Sequence, residues 1–136
     1  MKKPIMTVLL LLLFNPAVLL AEGGIGIELN KMENKDGNCR AFVVFKNKTD
    51  SHFNEFKLDL VMFGSDGIIS RRLAVDSSPL RPNKTSVKLF DIDELVCDDI
   101  SLILINDVLS CRDEYERDDC VDLIEASSRG NVSFVK

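Results

Sequence analysis

The segment "SCRDEYERDDC" (110–120) sets eight residues between Cys111 and Cys120, and all of them except Tyr115 are charged. Three chemistries compete for such a segment. Paired as a disulfide, the two thiols staple a ten-residue loop, and chain entropy then stabilises the fold by roughly 2.5–3 kcal/mol. Asp113, Glu114, Glu116, Asp118 and Asp119 could instead offer oxygens to a hard cation. Calcium loops of the EF-hand type, however, place acids at alternate positions and a glycine at the sharp turn. This segment has no glycine, and Arg112 and Arg117 offset part of its charge. Zinc would need two ligands beyond the two thiolates, and the one histidine, His52, is far away in sequence. No Cys-x-x-Cys spacing marks an exchange-active pair. The segment reads as a stapled surface loop.

That pairing leaves Cys39 and Cys97 for each other. About 59 residues are then enclosed, for an entropic contribution of roughly 4 kcal/mol. The rival bridge, Cys97 to Cys111, would span the extended stretch "ISLILIN", whose ends lie too far apart for disulfide geometry. The expected pairs are Cys39–Cys97 and Cys111–Cys120.

Other reactive side chains lack partners at recognisable spacing. His52 sits in the polar turn "TDSHFN" and reads as a solvated loop residue. Ser70, Ser101 and Ser127 lack the G-x-S-x-G setting of a nucleophile elbow. Asp91, Asp93 and Glu94, with Asp98 and Asp99 nearby, could form a second cation site, but an acidic solvated turn explains them as well. Asn47, Asn83 and Asn131 head N-x-Ser/Thr sequons and read as turn residues. Arg71-Arg72 forms a small basic spot. No catalytic residue, metal site or cofactor is expected.

The elements that must position these groups begin after an export signal. "MKKPIMTVLLLLLFNPAVLLA" joins a lysine pair to an apolar run and a cleavage point after Ala21. The run is short for a membrane span, so no stable span is expected once it is cleaved. Residues 22–136 then form one domain with 15 basic and 22 acidic side chains, a net charge of −7. Such a domain is a poor candidate for nucleic acid or for anionic membranes. Four cysteines in an exported domain mean a disulfide framework.

From residue 24 to 107 the apolar pattern repeatedly has period two. Ile25, Ile27 and Leu29 share one face; so do Cys39, Ala41, Val43 and Phe45; so do Phe56, Leu58, Leu60 and Met62, with Lys57 and Asp59 outward. This is the mark of half-buried antiparallel strands. "NKTDS" (47–51) reads as a hairpin connection, and "GSDG" (64–67) as a tight turn through Asp66-Gly67. Strands follow at 68–75 and 85–92. "ISLILIN" (100–106) is apolar on both faces, as suits a central strand or one covered by the C-terminal segment. The tail is readable as a short helix from Asp118 or Asp119 to Gly130, or as a hairpin of "DLIEA" and "NVSFVK" turning at 128–131. Six strands at roughly ten-residue spacing argue for a β-sandwich.

Two resemblances add to this. "FKLDLVMFGSDGII", followed by "PLRPNKTSVKLFDI", resembles the core of bacterial immunoglobulin-like domains of the FxLYD type over about residues 39–92. Phe56 and Leu58 fit that pattern, and Asp59-Leu60 stands where those domains have Tyr-Asp. "NCRAFVVFKN", "KLDLVMF", "RLAV", "TSVKLFDI" and "NDVLSC" resemble small alphaproteobacterial exported proteins of unknown function, often labelled Tat-pathway signal proteins. Here Lys2-Lys3 stands in place of a twin arginine. The resemblance implies an immunoglobulin-like fold and no catalytic residue.

The expectation is an all-β, immunoglobulin-like antiparallel sandwich with a C-terminal helix or hairpin, exported to the periplasm or beyond. It would serve as a non-enzymatic binding or structural module with a protein partner in the cell envelope. Its edge strands are the first candidates for contact, by strand addition. The competing expectation is a cation- or small-ligand-binding protein using segments 91–99 and 112–119.

Overall fold

The computed structural model describes Lys2 and residues 23–136; the rest of the expected export signal, 1–21, lies outside the described residues. Eight strands are found among them: β1 (Ile25–Lys35), β2 (Asn38–Asn47), β3 (Glu55–Phe63), β4 (Ile69–Asp76), β5 (Lys84–Ile92), β6 (Leu102–Arg112), β7 (Ile124–Ser128) and β8 (Ser133–Val135). They form two four-stranded sheets, ordered β5-β2-β1-β7 and β4-β3-β6-β8. The first, second and fifth strands thus oppose the third, fourth and sixth, the partition of an immunoglobulin-like sandwich.

Alternation decides which side chains fill the space between the sheets. β2 sends Cys39, Ala41, Val43 and Phe45 inward, and β3 sends Phe56, Leu58, Leu60 and Met62, all buried. Ile25, Ile27 and Leu29 from β1 and Ile103 and Ile105 from β6 complete the centre. Phe53 and Phe56 meet edge to face with ring centroids 5.7 Å apart.

Three sequence expectations need correction. The 47–51 connection is not a hairpin: β2 and β3 lie in different sheets, so the chain crosses the sandwich there. Turn chemistry marks a change of direction and carries no information about which sheet receives the next strand. The sheets are not purely antiparallel either, because β1 pairs with β7 and β6 with β8 in parallel. The tail is neither helix nor hairpin. After a 3-10 turn at Cys120–Leu123, β7 joins one sheet and β8 the other. This split lets Ile124 and Phe134 enter the core from opposite sheets, where a hairpin would extend only one.

"ISLILIN" supplies most of the first half of β6, which is central in its sheet, between β3 and β8. The C-terminal segment pairs with its edge through Leu102–Leu104 and Ser133–Val135.

Candidate functional site

The charged loop is built from its own ends inward. Cys111, at the end of β6, is bonded to Cys120, with Cα atoms 6.5 Å apart, and Cys39 is bonded to Cys97 at 4.9 Å. Within the loop, the Tyr115 N–H donates to Asp113 Oδ1 at 3.0 Å, and the Arg117 N–H donates to the Cys111 carbonyl at 2.9 Å. The Arg117 side chain then fills the loop's centre. Its Nε and Nη2 donate to the two Asp119 oxygens at 2.9 and 2.8 Å, and Nη1 donates to Asp113 Oδ2 at 3.0 Å. The guanidinium also lies 5.6 Å from the Phe53 ring centroid.

This arrangement sets the loop's electrostatics. The Arg117 guanidinium holds Asp119 below the usual carboxylate range. The Tyr115 N–H and then Arg117 do the same for Asp113. Two of the five carboxylates that a cation would need are therefore already engaged by an internal cation. In segment 91–99, Asp91 receives two bonds from Arg40, at 2.7 and 2.9 Å. Among the described residues no group of three or more His, Cys, Asp or Glu is placed to hold a metal ion.

Beside the loop lies an open groove of about 890 Å³, lined by residues of 50–54 and 112–115. It brings together His52 and Tyr115, a convergence that sequence spacing did not reveal. The Asn54 N–H, donating to the Arg112 carbonyl at 3.0 Å, ties the two walls. Among the described residues no hydroxyl or carboxylate bonds to the His52 ring. Ser101 Oγ donates to the carbonyls of Phe63 and Gly64 and so fixes a turn. Ser70 and Ser127 are exposed.

Asn47 is a structural residue. It is 2% exposed, and its amide is saturated. Nδ2 donates to the carbonyls of Ser51 (2.8 Å) and Leu80 (3.2 Å), while Oδ1 accepts from Thr49 N and Oγ1. Asn83 sits at a positive φ of 54°, which suits an asparagine in a turn.

The outward face of the β3–β6–β8 sheet differs from an ordinary solvated face. Val61 and Phe63 of β3, Leu102 and Leu104 of β6 and Val135 of β8 point away from the core. Phe63 pairs with Leu102, Val61 with Leu104, and Leu104 with Val135, so the five are contiguous. Asp59, on the same face, is 2% exposed, because Arg72 lies over it with bonds of 2.8 and 2.7 Å and Asn106 donates a third at 2.7 Å. The Arg72 hydrogen bonds hold its pKa below the ordinary carboxylate value against the opposing effect of burial. An apolar patch thus borders a fixed polar network.

No family model and no curated protein matches the chain. Among solved structures, one described as the structural characterization of IrmA from Escherichia coli is similar, with a TM-score of 0.59 at 9% identity. The match covers 76% of this chain and 90% of that one, and it speaks to the fold alone.

Proposed function

We propose that this chain is a non-enzymatic binding module of the bacterial cell envelope, exported to the periplasm, whose protein partner docks on the outward face of β3, β6 and β8. The observation that carries the reading is the contiguous row of half-buried Phe63, Leu102 and Leu104 with exposed Val135, set around buried Val61 and beside the Asp59–Arg72–Asn106 network. Contiguous surface apolar groups with a polar border are the anatomy of a protein interface.

Disulfide chemistry supports a compartment outside the cytoplasm. Two disulfides persist in an oxidising, extracytoplasmic environment. Among the described residues no helix is long and apolar enough to cross a membrane.

A face is favoured over an edge for physical reasons. Of the four edge strands, β7 and β8 have only 5 and 3 residues. The longer edges, β4 and β5, each turn a cation inward, Arg71 and Lys88, which discourages the addition of another strand.

The test places a photo-activated benzoylphenylalanine at Leu104 and, as a control, at Thr85 on the other sheet. Irradiation of intact cells should give an adduct of discrete mass from position 104 only, lost when Leu102→Glu is added. Equal adducts from both positions, or none from 104, would refute the face. Thermal unfolding of each variant verifies that the sandwich is intact.

A further inference from the structure

At edge strand β5 of the other sheet the charges are arranged against the general trend of an acidic protein. β5 alternates, so that Lys84, Ser86 and Lys88 project on the same side as Phe90 and buried Ile92. At the start of the strand this side is not filled by core residues. It opens into a cleft of about 260 Å³, completed by Pro79 and Arg81 of the preceding loop.

Three cations and one hydroxyl line this cleft, and no carboxylate does. Among the described residues, Arg81, Lys84 and Lys88 take part in none of the ion pairs, which elsewhere occupy Arg40, Arg72 and Arg117. Lys88 Nζ has only a long contact of 3.4 Å to the Ser78 carbonyl. The nearby carboxylate, Asp76, accepts both the N–H and the Oγ–H of Ser78, at 3.0 and 2.7 Å.

The loop that carries Arg81 is held in place. Phe53 and Leu80 exchange backbone hydrogen bonds at 2.9 Å each, and the Asn83 side chain donates to Asp50 at 2.9 Å. The cleft is therefore built on fixed backbone.

From this geometry we infer that the cleft formed by Arg81, Lys84, Ser86 and Lys88 binds a phosphate monoester group. Three positive charges lining one cleft favour a dianion over a single carboxylate, because the attraction scales with the product of charges. Lysines act here as point charges for phosphate, and Arg81 and Ser86 supply directed hydrogen bonds. The volume falls below that of drug-sized ligand sites, so one anionic head group fits and a large ligand does not. An inward lysine also protects an edge strand, but that role needs neither Arg81 nor Lys84.

Inorganic phosphate is the probe, titrated into unreduced protein at constant ionic strength and followed by amide chemical shifts. Saturable shifts should be confined to residues 79–88, with a midpoint on the order of 1 mM. Arg81→Gln, on the exposed loop, and Lys88→Gln should each weaken binding at least about fivefold. Lys35→Gln, a remote cation, should leave it unchanged. Non-saturating shifts spread over all lysines, or equal weakening by Lys35→Gln, would overturn the site. Vesicles of phosphatidylcholine with and without phosphatidic acid then separate the two sources. Retention on phosphatidic acid that Arg81→Gln abolishes identifies a lipid head group. Phosphate binding without retention identifies a soluble phosphomonoester.

Discussion

Replacing Asn47 tests how the first crossing between the sheets is held. The side chain makes four hydrogen bonds at the end of β2, all within the 47–51 turn or to Leu80. At about 1 kcal/mol each, Asn47→Ala would cost about 4 kcal/mol if nothing recovered. The Leu80 carbonyl keeps its bond from Phe53 N–H, and the Ser51 and Thr49 groups are only part-buried and can regain water. The expected cost is therefore about 2–3 kcal/mol, or a fall in Tm of roughly 10 °C for a domain of this size. Asn47→Asp discriminates further. Its second oxygen would replace Nδ2 and face two carbonyl oxygens in a buried site, which raises the carboxyl pKa above its unfolded value near 3.9. A raised folded pKa favours the protonated native state, so this variant should approach wild type below about pH 4 and be least stable at pH 7. Urea unfolding at pH 7 and pH 3.5, each referred to wild type at the same pH, measures both effects. Lys46→Ala, an exposed neighbour, should move Tm by less than about 2 °C. A cost below about 1 kcal/mol for Asn47→Ala, or an Asp variant that fails to recover in acid, would refute the account.

Asp59→Asn should cost about 2 kcal/mol at pH 7, because it weakens charge-assisted bonds to a buried group. Since the folded pKa of Asp59 is depressed, its contribution is complete above about pH 4 and lost as pH falls below it, so the gap between variant and wild type in urea should close in acid. Serine pairs in place of each disulfide should rank by loop size: about 4 kcal/mol for Cys39–Cys97, with 58 residues of separation, and about 2.7 kcal/mol for Cys111–Cys120, with 9. Denaturant titration that reversed this order would show that strain or packing outweighs chain entropy. Millimolar calcium should leave Tm unchanged, because Arg117 already engages Asp113 and Asp119; a calcium-dependent rise would restore the cation reading.

Much of the sandwich is legible in period-two patterning, and the reason is visible in β2 and β3. Their inward residues are all buried between the sheets, so alternation survives intact from Cys39 to Phe45 and from Phe56 to Met62. The pattern fails where other forces intervene. β1 runs on to Lys35, but a register shift near Asn30 and a polar stretch hide it. Its turn at Asp36-Gly37 holds both residues at positive φ, 52° and 81°, whereas at Asp66-Gly67 only the glycine takes one, at 79°. Asp59 points outward as its spacing implies, yet it is buried, because Arg72 from another strand covers it. The parallel partners of the tail were hidden because Ile25 and Ile124 meet across the length of the chain. The basic cleft did leave a signal: Lys84, Ser86 and Lys88 stand where the alternation ending in Phe90 and Ile92 calls for apolar residues.

The order of the bridged cysteines along the chain bears on how the protein is made. Cys39 is joined to the next cysteine, Cys97, and Cys111 to the next, Cys120. A chain threaded through a membrane with its N-terminus first would deliver them in that sequence. Joining each newly arrived pair by thiol–disulfide exchange yields both native bonds directly, with no mispaired intermediate to undo. For a chain delivered in that way, an oxidase alone would suffice to form both bonds, without an isomerase.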